Sequence, residues 1–341
     1  MRNTAYGRAG VDIEAKMAGI RSVKDLIRTT ATKGALNEIG AFGGFFESPG
    51  AGKVLVASTD GVGTKIKIAA MTGRHNTVGQ DIVNHCVNDI LVHGAIPLFF
   101  LDYFGSARFN GKIFHAVVSG LCKACRDNNC ALLGGETAEM PGLYPENEYD
   151  LVGTVIGVVD KKKIINGEDI RPGDTIIGLP SSGLHTNGYS LARKVIFETA
   201  GLKPGDIIPG TRRTAADILL AVHRSYLKPV QQLISKVKVR GMAHITGGGF
   251  TDNISRILPG NTSAAIDVSK WIVPPIYRFI SEAGKVEREE MYHVFNMGIG
   301  MVIFVRSADV GKAMSLLKKT GSSPVIIGRI EKNSTPVQLN F

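Results

Sequence analysis

The chain has 341 residues, of which 44% are apolar and 21% charged, a composition that excludes overall disorder and coiled coil. Lys plus Arg number 40 against 30 Asp plus Glu, and the net charge of +10 is compatible with nucleic acid, a membrane surface or phosphorylated small molecules. Lys161, Lys162 and Lys163 form the densest basic cluster, too short for a polynucleotide footprint, and no apolar run approaches the ~20 residues of a membrane helix, so neither partner is expected.

At roughly 150 residues per domain, the length predicts two domains. The N-terminus lacks the apolar core of a signal peptide, and Cys86, Cys122, Cys125 and Cys130 sit in one stretch; a cytoplasmic protein with reduced, structural thiols is expected. In chain order, strands are predicted at Val54–Thr59, Pro97–Leu101, Ala131–Leu133 and Leu151–Val159, with helices over Val78–Val92 and Gly111–Arg126 between them. The charged segment from Lys161 to Gly173 ends in a turn signal and reads as a boundary, giving an N-terminal domain over 1–165 and a C-terminal domain over 171–341. Beyond it come a strand at Thr175–Leu179, helices over Gly188–Thr199, Ala215–Val222 and Lys228–Ser235, a short strand at Ala243–Ile245 and a helix over Phe250–Leu258. A buried strand within Val294–Val305 and a helix at Ala308–Lys319 complete the pattern, with a solvated helix face around Glu282 to Glu290. Both halves are mixed α/β.

Asp60, Asp102 and Glu136 each fall where an apolar run ends. Acidic residues and glycines there serve either as plain turn formers or, converging, as Mg²⁺ ligands beside phosphate. On the Val78–Val92 helix, Asp81, His85, Asn88 and Asp89 share the face opposite the apolar one, either a polar seam or a set of metal-ligand type. Asp60-Gly61-Val62-Gly63-Thr64-Lys65 is a compact phosphate-loop candidate without the spacing of a Walker A or dinucleotide fingerprint. Two further glycine loops, Ser181 to Gly188 and Thr246-Gly247-Gly248-Gly249, run from strands into helices and carry His185 and His244 beside them. Each is also readable as a tight turn.

The ordered set of these motifs resembles the phosphoribosylformylglycinamidine cyclo-ligase (aminoimidazole ribonucleotide synthetase) family. The matching segments are Ala9-Gly10-Val11-Asp12-Ile13, Thr59 to Lys65, Cys86-Val87-Asn88-Asp89-Ile90, Pro97 to Tyr103, Gly134-Gly135-Glu136-Thr137-Ala138-Glu139-Met140-Pro141-Gly142, Ser181 to Leu191, His244 to Phe250 and Phe295 to Met301. The resemblance implies ATP-dependent conversion of formylglycinamidine ribonucleotide to aminoimidazole ribonucleotide, ADP and phosphate, with Mg²⁺. It implies an N-terminal mixed domain whose strands form a barrel-like sheet across a homodimer, and a C-terminal α/β domain with its sheet flanked by helices.

Carried over by position, Asp60, Asp89 and Glu136 are the implied Mg²⁺–ATP ligands. Gly61, Gly63, Thr64, Lys65, Gly135 and Thr137 are implied contacts to ATP. Lys24, twelve residues after Asp12, takes an ATP-linked position that is either catalytic or binding. His185 is implied as the active-site histidine, either an acid–base group or a phosphate ligand. Ser182, Gly183, Asn187, His244, Thr246, Gly247, Gly248 and Gly249 are implied on the substrate side. The glycine-rich Ala35 to Gly52 segment is a candidate nucleotide cover. Rival readings are another ATP-dependent enzyme of the wider superfamily, such as selenophosphate synthetase or thiamine-monophosphate kinase, and a non-catalytic anion-binding protein. The absence of a cysteine before Cys86 disfavours selenophosphate synthetase, and the Gly134–Gly142 and His185–Gly188 segments favour the cyclo-ligase over the kinase.

Overall fold

A computed structural model describes residues 13–33, 35, 46 and 49–341, with side chains from residue 18 onward. The Ala9–Ile13 match, apart from residue 13, and most of the expected Ala35–Gly52 cover lie outside the described residues. The chain divides into two compact units, one comprising the chain up to Ile90 and Ile96–Val158, the other Leu91–Ala95 and Val159–Phe341.

The first unit contains α1 (Ile13–Arg28), β1 (Lys53–Gly61), α2 (Lys65–Thr72), α3 (Asn76–Leu91), β2 (Ile96–Ser106), α4 (Gly111–Asp127), β3 (Ala131–Glu139) and β4 (Tyr149–Asp160). Its four-stranded sheet has the order β1-β4-β2-β3, with β2 parallel to β3 and antiparallel to β4. The sheet is open, not a closed barrel, within the single chain. One face carries buried Phe100, Phe104, Leu151 and Val155. This is the face covered by α3: a side chain at Gly153 would run into Phe100 and Ile82. Strand alternation puts Leu55, Thr59 and Thr154 on the other face. Leu55 is 56% exposed there, and the Thr59 and Thr154 hydroxyls lie 2.8 Å apart.

Helices α3 and α4 touch backbone to backbone. A Cβ on Gly79 would sit 2.2 Å from the Val117 carbonyl oxygen, and one on Gly120 would sit 2.3 Å from that of Asn76. Some of the chain's 41 glycines therefore serve helix packing and not ligand loops. The N-terminus of α4 is closed by the Asn110 side chain, which accepts from the N–H groups of Lys112 and Ile113. All four cysteines are buried and free, as expected for structural thiols. Burial pushes the Cys122 thiol up to about 12 and raises those of Cys86 and Cys125 well above the ordinary thiol value, so these three are not poised to react.

The strand-end picture holds only for Asp60, the penultimate residue of β1. Asp102 and Glu136 are internal to β2 and β3, because both strands keep pairing as far as Ser106 and Glu139. Asp102 turns to the helix-covered face, half-buried, with its carboxyl pushed up to about 7 by desolvation. A Cβ at Gly135 would stand 2.5 Å from Asp102 Oδ1, so that glycine makes room for the carboxyl.

The second unit holds β5 (Thr175–Pro180), α5 (Tyr189–Arg193), α6 (Ala215–Leu219), α7 (Leu227–Ile234), β6 (Val239–His244), α8 (Gly249–Ser255), β7 (Ser263–Asp267), α9 (Pro275–Gly284), α10 (Arg288–Val294), β8 (Ile299–Val305), α11 (Val310–Lys319), β9 (Val325–Glu331) and β10 (Val337–Asn340). Its six-stranded sheet runs β10-β7-β9-β5-β8-β6, antiparallel except for the β10/β7 pair. Every residue of β8 is buried, as its continuous apolar run predicts for a central strand. The buried strand expected within Val294–Val305 is β8; Arg288–Val294 is helical and Phe295–Gly298 forms the turn into it. The acidic segment is a solvated face as expected, with Arg278 paired to Glu282 at 2.7 Å on α9.

Candidate active site

In the first unit, β1 and α3 bring three titratable groups together. His85 Nε2 lies 2.9 Å from Asp60 Oδ2 and 3.5 Å from Asp89 Oδ2. Ser58, two residues before Asp60 on the same strand face, donates its hydroxyl to Asp89 Oδ2 at 3.1 Å. The Gly61 N–H donates to Asp60 Oδ1 at 2.6 Å. Burial pulls the Asp60 carboxyl upward, but the His85 hydrogen bond and charge, helped by the Gly61 N–H, outweigh it and hold the group below its ordinary value. For His85, burial favours the neutral ring; the Asp60 hydrogen bond and the charges of Asp89, Asp60 and Asp81 win and raise it. The two carboxylates thus favour the protonated form of the buried imidazole.

The glycine loop follows directly. Gly63 adopts φ +67° and is exposed, and Thr64 precedes α2. Gly63 and Thr64, with Lys67, Tyr144 and Tyr149, border a cavity of about 230 Å³. Lys65, expected at a phosphate, is placed elsewhere. It opens α2 with its side chain turned inward, fully buried, and its ammonium lies 2.9 Å from the equally buried Asp81 carboxylate. Desolvation lowers the Lys65 amine despite that partner. Helix α3 therefore carries a polar seam through Asp81 as well as the His85 group. Lys24 is half-buried on α1.

Glu136 stands apart from Asp60 and Asp89. It is exposed on β3, in register with Tyr103 and on the open face, whereas Asp60 faces α3 from the other edge strand. Three strand spacings, about 14 Å, separate the two strands. Thr137 is half-buried beside Glu136.

In the second unit, the loop after β5 is tied down by Asn296. Its Oδ1 accepts from the Ser181 hydroxyl, the Tyr277 hydroxyl at 2.7 Å and the Gly298 N–H at 2.9 Å, while its Nδ2 donates to the Gly183 carbonyl at 2.9 Å. Gly183 has φ +147° and His185 the left-handed φ +60°, and the His185 ring is fully buried. The Ser182 N–H points at His185 Nε2 over 3.2 Å. Gly188 is required by packing, since a Cβ there would lie 2.2 Å from the Phe295 ring.

The Thr246–Gly249 loop is organised by Asn253, whose Nδ2 donates to the carbonyls of Thr246, Gly247 and Gly249. Gly249 is left-handed, at φ +58°, and a Cβ on it would lie 1.9 Å from the Tyr292 carbonyl. Gly247 instead looks toward Asn187 Oδ1, 3.5 Å from where its Cβ would be. The buried Asn187 Nδ2 has no hydrogen-bond partner among the described residues. His244, at the end of β6, is buried, and its Nε2 lies 3.0 Å from that of His223. Asn296 falls within the Phe295–Met301 match but carried no role there, whereas Asn253 and His223 lay outside every matched segment: Asn253 acts on the loop four to seven residues before it, and His223 through tertiary contacts with His185 and His244. His85 carried a signal, the spacing of four that places Asp81, His85 and Asp89 on one helix face.

Both halves of the chain match domains of one class. Residues 41–159 match the AIR synthase related protein, N-terminal domain, and residues 171–338 match the AIR synthase related protein, C-terminal domain. Thiamine-monophosphate kinase from Stenotrophomonas maltophilia shares this fold, with a TM-score of 0.71 at 15% identity over 94% of this chain and 96% of that chain. PurL of T. maritima complexed with AMPPCP shares it with a TM-score of 0.57 at 14% identity, over 94% of this chain and 45% of that one. Phosphoribosylformylglycinamidine cyclo-ligase of Alkaliphilus oremlandii is 46% identical, over 98% of this chain and 99% of that protein. Those of Lawsonia intracellularis and Geobacter metallireducens are each 48% identical, over 98% and 97% of this chain and 96% of each protein. The chain belongs to the phosphoribosylformylglycinamidine cyclo-ligase family, ATP-dependent carbon–nitrogen ligases of purine biosynthesis.

Proposed function

We propose that this chain closes the imidazole ring of aminoimidazole ribonucleotide, consuming formylglycinamidine ribonucleotide and ATP and releasing ADP and phosphate. The observation that carries this reading is 46–48% identity over nearly the whole length to proteins named for that reaction. In the sequence of steps we favour, the formyl oxygen attacks the γ-phosphorus of ATP and ADP leaves. The amidine nitrogen then adds to the formyl carbon, and phosphate departs with the former formyl oxygen. A poor leaving group becomes a good one, and a C–N bond replaces the C–O bond.

Asp60 and Asp89 are the proposed Mg²⁺ ligands. Their oxygens converge on one point, now taken by His85 Nε2, and a pair of carboxylates beside a phosphate loop suits this hard cation. Mg²⁺ there would offset the charge of the triphosphate. Gly61, Gly63 and Thr64 offer backbone N–H groups to the phosphates, with Lys24 and Thr137 as further ATP contacts. Lys65 supports this loop from beneath, through Asp81.

In the second unit, Asn187 Nδ2 is a buried donor lacking an acceptor, a group suited to a substrate oxygen. Ser182, Gly183, His185, His244, Thr246 and Gly247 complete the proposed substrate side.

A homodimer through the open face of the first sheet is the proposed assembly. That face carries Leu55, 56% exposed, and its continuation includes Ile96, 45% exposed. No helix among the described residues is long and apolar enough to cross a membrane, and we place the protein in the cytoplasm, where its four free thiols stay reduced. The test is incubation of the purified protein with formylglycinamidine ribonucleotide, ATP and Mg²⁺. Aminoimidazole ribonucleotide and stoichiometric ADP are expected; a folded sample that yields neither overturns the reading.

A further inference from the structure

Ser106 ends β2 with a hydroxyl that the strand pattern turns inward. Phe104 and Ser106 alternate onto the helix-covered face, and Ser106 is only 2% exposed. Its buried Oγ has no hydrogen-bond partner among the described residues. A buried hydroxyl without a partner is destabilising, so its retention calls for a reason. Ser106 lines a cavity of about 270 Å³ in the first unit, between the paired ends of β2 and β4 and the start of α4.

Aromatic side chains form much of the wall. The Phe104 and Tyr149 rings stack with centroids 5.1 Å apart, and Phe109 adds a third ring from the loop before α4. The Tyr149 hydroxyl lies 2.9 Å from His75 Nδ1 and is thereby satisfied. Beside the Ser106 hydroxyl, the uncharged polar groups are carboxamides. Asn110 Oδ1 is committed to the N–H groups of Lys112 and Ile113, which leaves its amide nitrogen as a donor, and Asn147 brings a second carboxamide. The charged lining residues, Arg108 and Glu148, have opposite signs, so the cavity does not select an ion by net charge. Its volume lies just below the range of about 300–1,000 Å³ usual for small-molecule sites, which limits the occupant to about one ring system. Aromatic faces select a flat ring, and carboxamides match the adjacent donor and acceptor atoms on the edge of a nitrogen heterocycle.

We propose that this cavity binds one uncharged, flat nitrogen heterocycle of the nucleobase class, with the Ser106 hydroxyl as its buried hydrogen-bond partner. Glu148 and Tyr149 also border the cavity beside Gly63 and Thr64, but those two loop residues do not line this one. The proposed site is therefore a neighbour of the phosphate loop and not part of it. It stands whether or not the ring-closing reaction is confirmed, because its test reads binding.

Wild-type protein with labelled isoleucine methyl groups is titrated with adenine, hypoxanthine and cytosine, in excess Mg²⁺–ATP to occupy the proposed phosphate-loop site. One-to-one binding of at least one base is expected, with a Kd below about 1 mM. Nuclear Overhauser contacts should join its ring protons to the methyl groups of Ile113, which lines the cavity from the first turn of α4. Ser106→Ala should raise the Kd about tenfold while keeping the wild-type melting temperature, since the hydroxyl it removes has no partner among the described residues. No binding by any of the three bases overturns the proposal. So does binding without contact to Ile113, or unchanged affinity in a folded Ser106→Ala protein. If Ser106→Ala does not fold, the Ile113 contacts in the wild type decide alone.

Discussion

The Lys65 ammonium and the Asp81 carboxylate lie 2.9 Å apart, with neither side chain reaching solvent. A charge pair in that position holds the first turn of α2 against α3 and so sets the base of the Gly61–Thr64 loop. Removing one partner leaves the other charged and buried. Lys65→Met is therefore expected to destabilise the protein by about 3–5 kcal/mol, whereas Lys65→Met with Asp81→Leu should recover most of that loss. Urea unfolding of the four members of the double-mutant cycle checks this; two additive single losses would mean the pair is not coupled.

The His85 group predicts a pH signature in metal-free protein. His85 is raised above its ordinary 6.5, so its stabilisation is complete below that value and is lost as pH climbs through the folded-state value. Asp60 is held below 3.8, so its share is complete above that value and lost only as pH falls further. In EDTA, the contribution of this pair to unfolding free energy is expected to be greatest between pH 3.8 and 6.5. The difference curve between wild type and His85→Gln should decline on the alkaline side; a flat difference contradicts the ion pair.

Gly120→Ala tests the helix crossing. The added carbon would meet the Asn76 carbonyl at 2.3 Å, backbone that cannot turn aside. A loss of about 1–3 kcal/mol or more is expected, against a negligible change for Gly111→Ala, where the nearest atom is 3.8 Å away. Thermal melts compare the two.

Asp60→Asn should lower kcat/KM at least about 100-fold, because a ligand charge for the proposed Mg²⁺ is lost. Steady-state kinetics at saturating Mg²⁺ check this, and wild-type turnover by Asp60→Asn would remove Asp60 from the metal site.

Much of the framework is readable before any coordinates. The expected helix over Val78–Val92 is α3, Asn76–Leu91, and that over Gly111–Arg126 is α4, Gly111–Asp127. Their apolar periodicity coincides with the face they bury. β9 escaped notice because Gly328 and Arg329 interrupt its apolar run, and β7 and β10 because they are short. Lys65 reads as a phosphate lysine from its neighbours Gly61, Gly63 and Thr64, yet its rotamer answers to Asp81, sixteen residues on. Asp102 reads as a strand end because a carboxylate inside a covered strand is costly; desolvation pushes its carboxyl up to about 7, which eases protonation, and Gly135 leaves it space. The spacing of Asp81, His85 and Asp89 was visible, but that Asp60 closes the group depends on how β1 lies on α3.

Asn187 and Asn296 separate binding from scaffolding. Asn187→Ala removes a donor that has no acceptor among the described residues and, on the proposed substrate-side role, is expected to raise KM for the nucleotide substrate with little change in melting temperature. Asn296→Ala breaks four hydrogen bonds and should lower the melting temperature by several degrees. Reversal of that pattern would exchange the two roles.

The contact between Gly79 and Gly120 has a consequence for inheritance. It fixes the rotation of α3 about its own axis, and with it the direction in which Asp81, His85 and Asp89 point. One added methyl group at Gly79 would swing all three, although Gly79 touches none of them. Under the proposed assignment of Asp60 and Asp89, a lesion there would present as a failure to hold metal and nucleotide, with each proposed ligand residue intact.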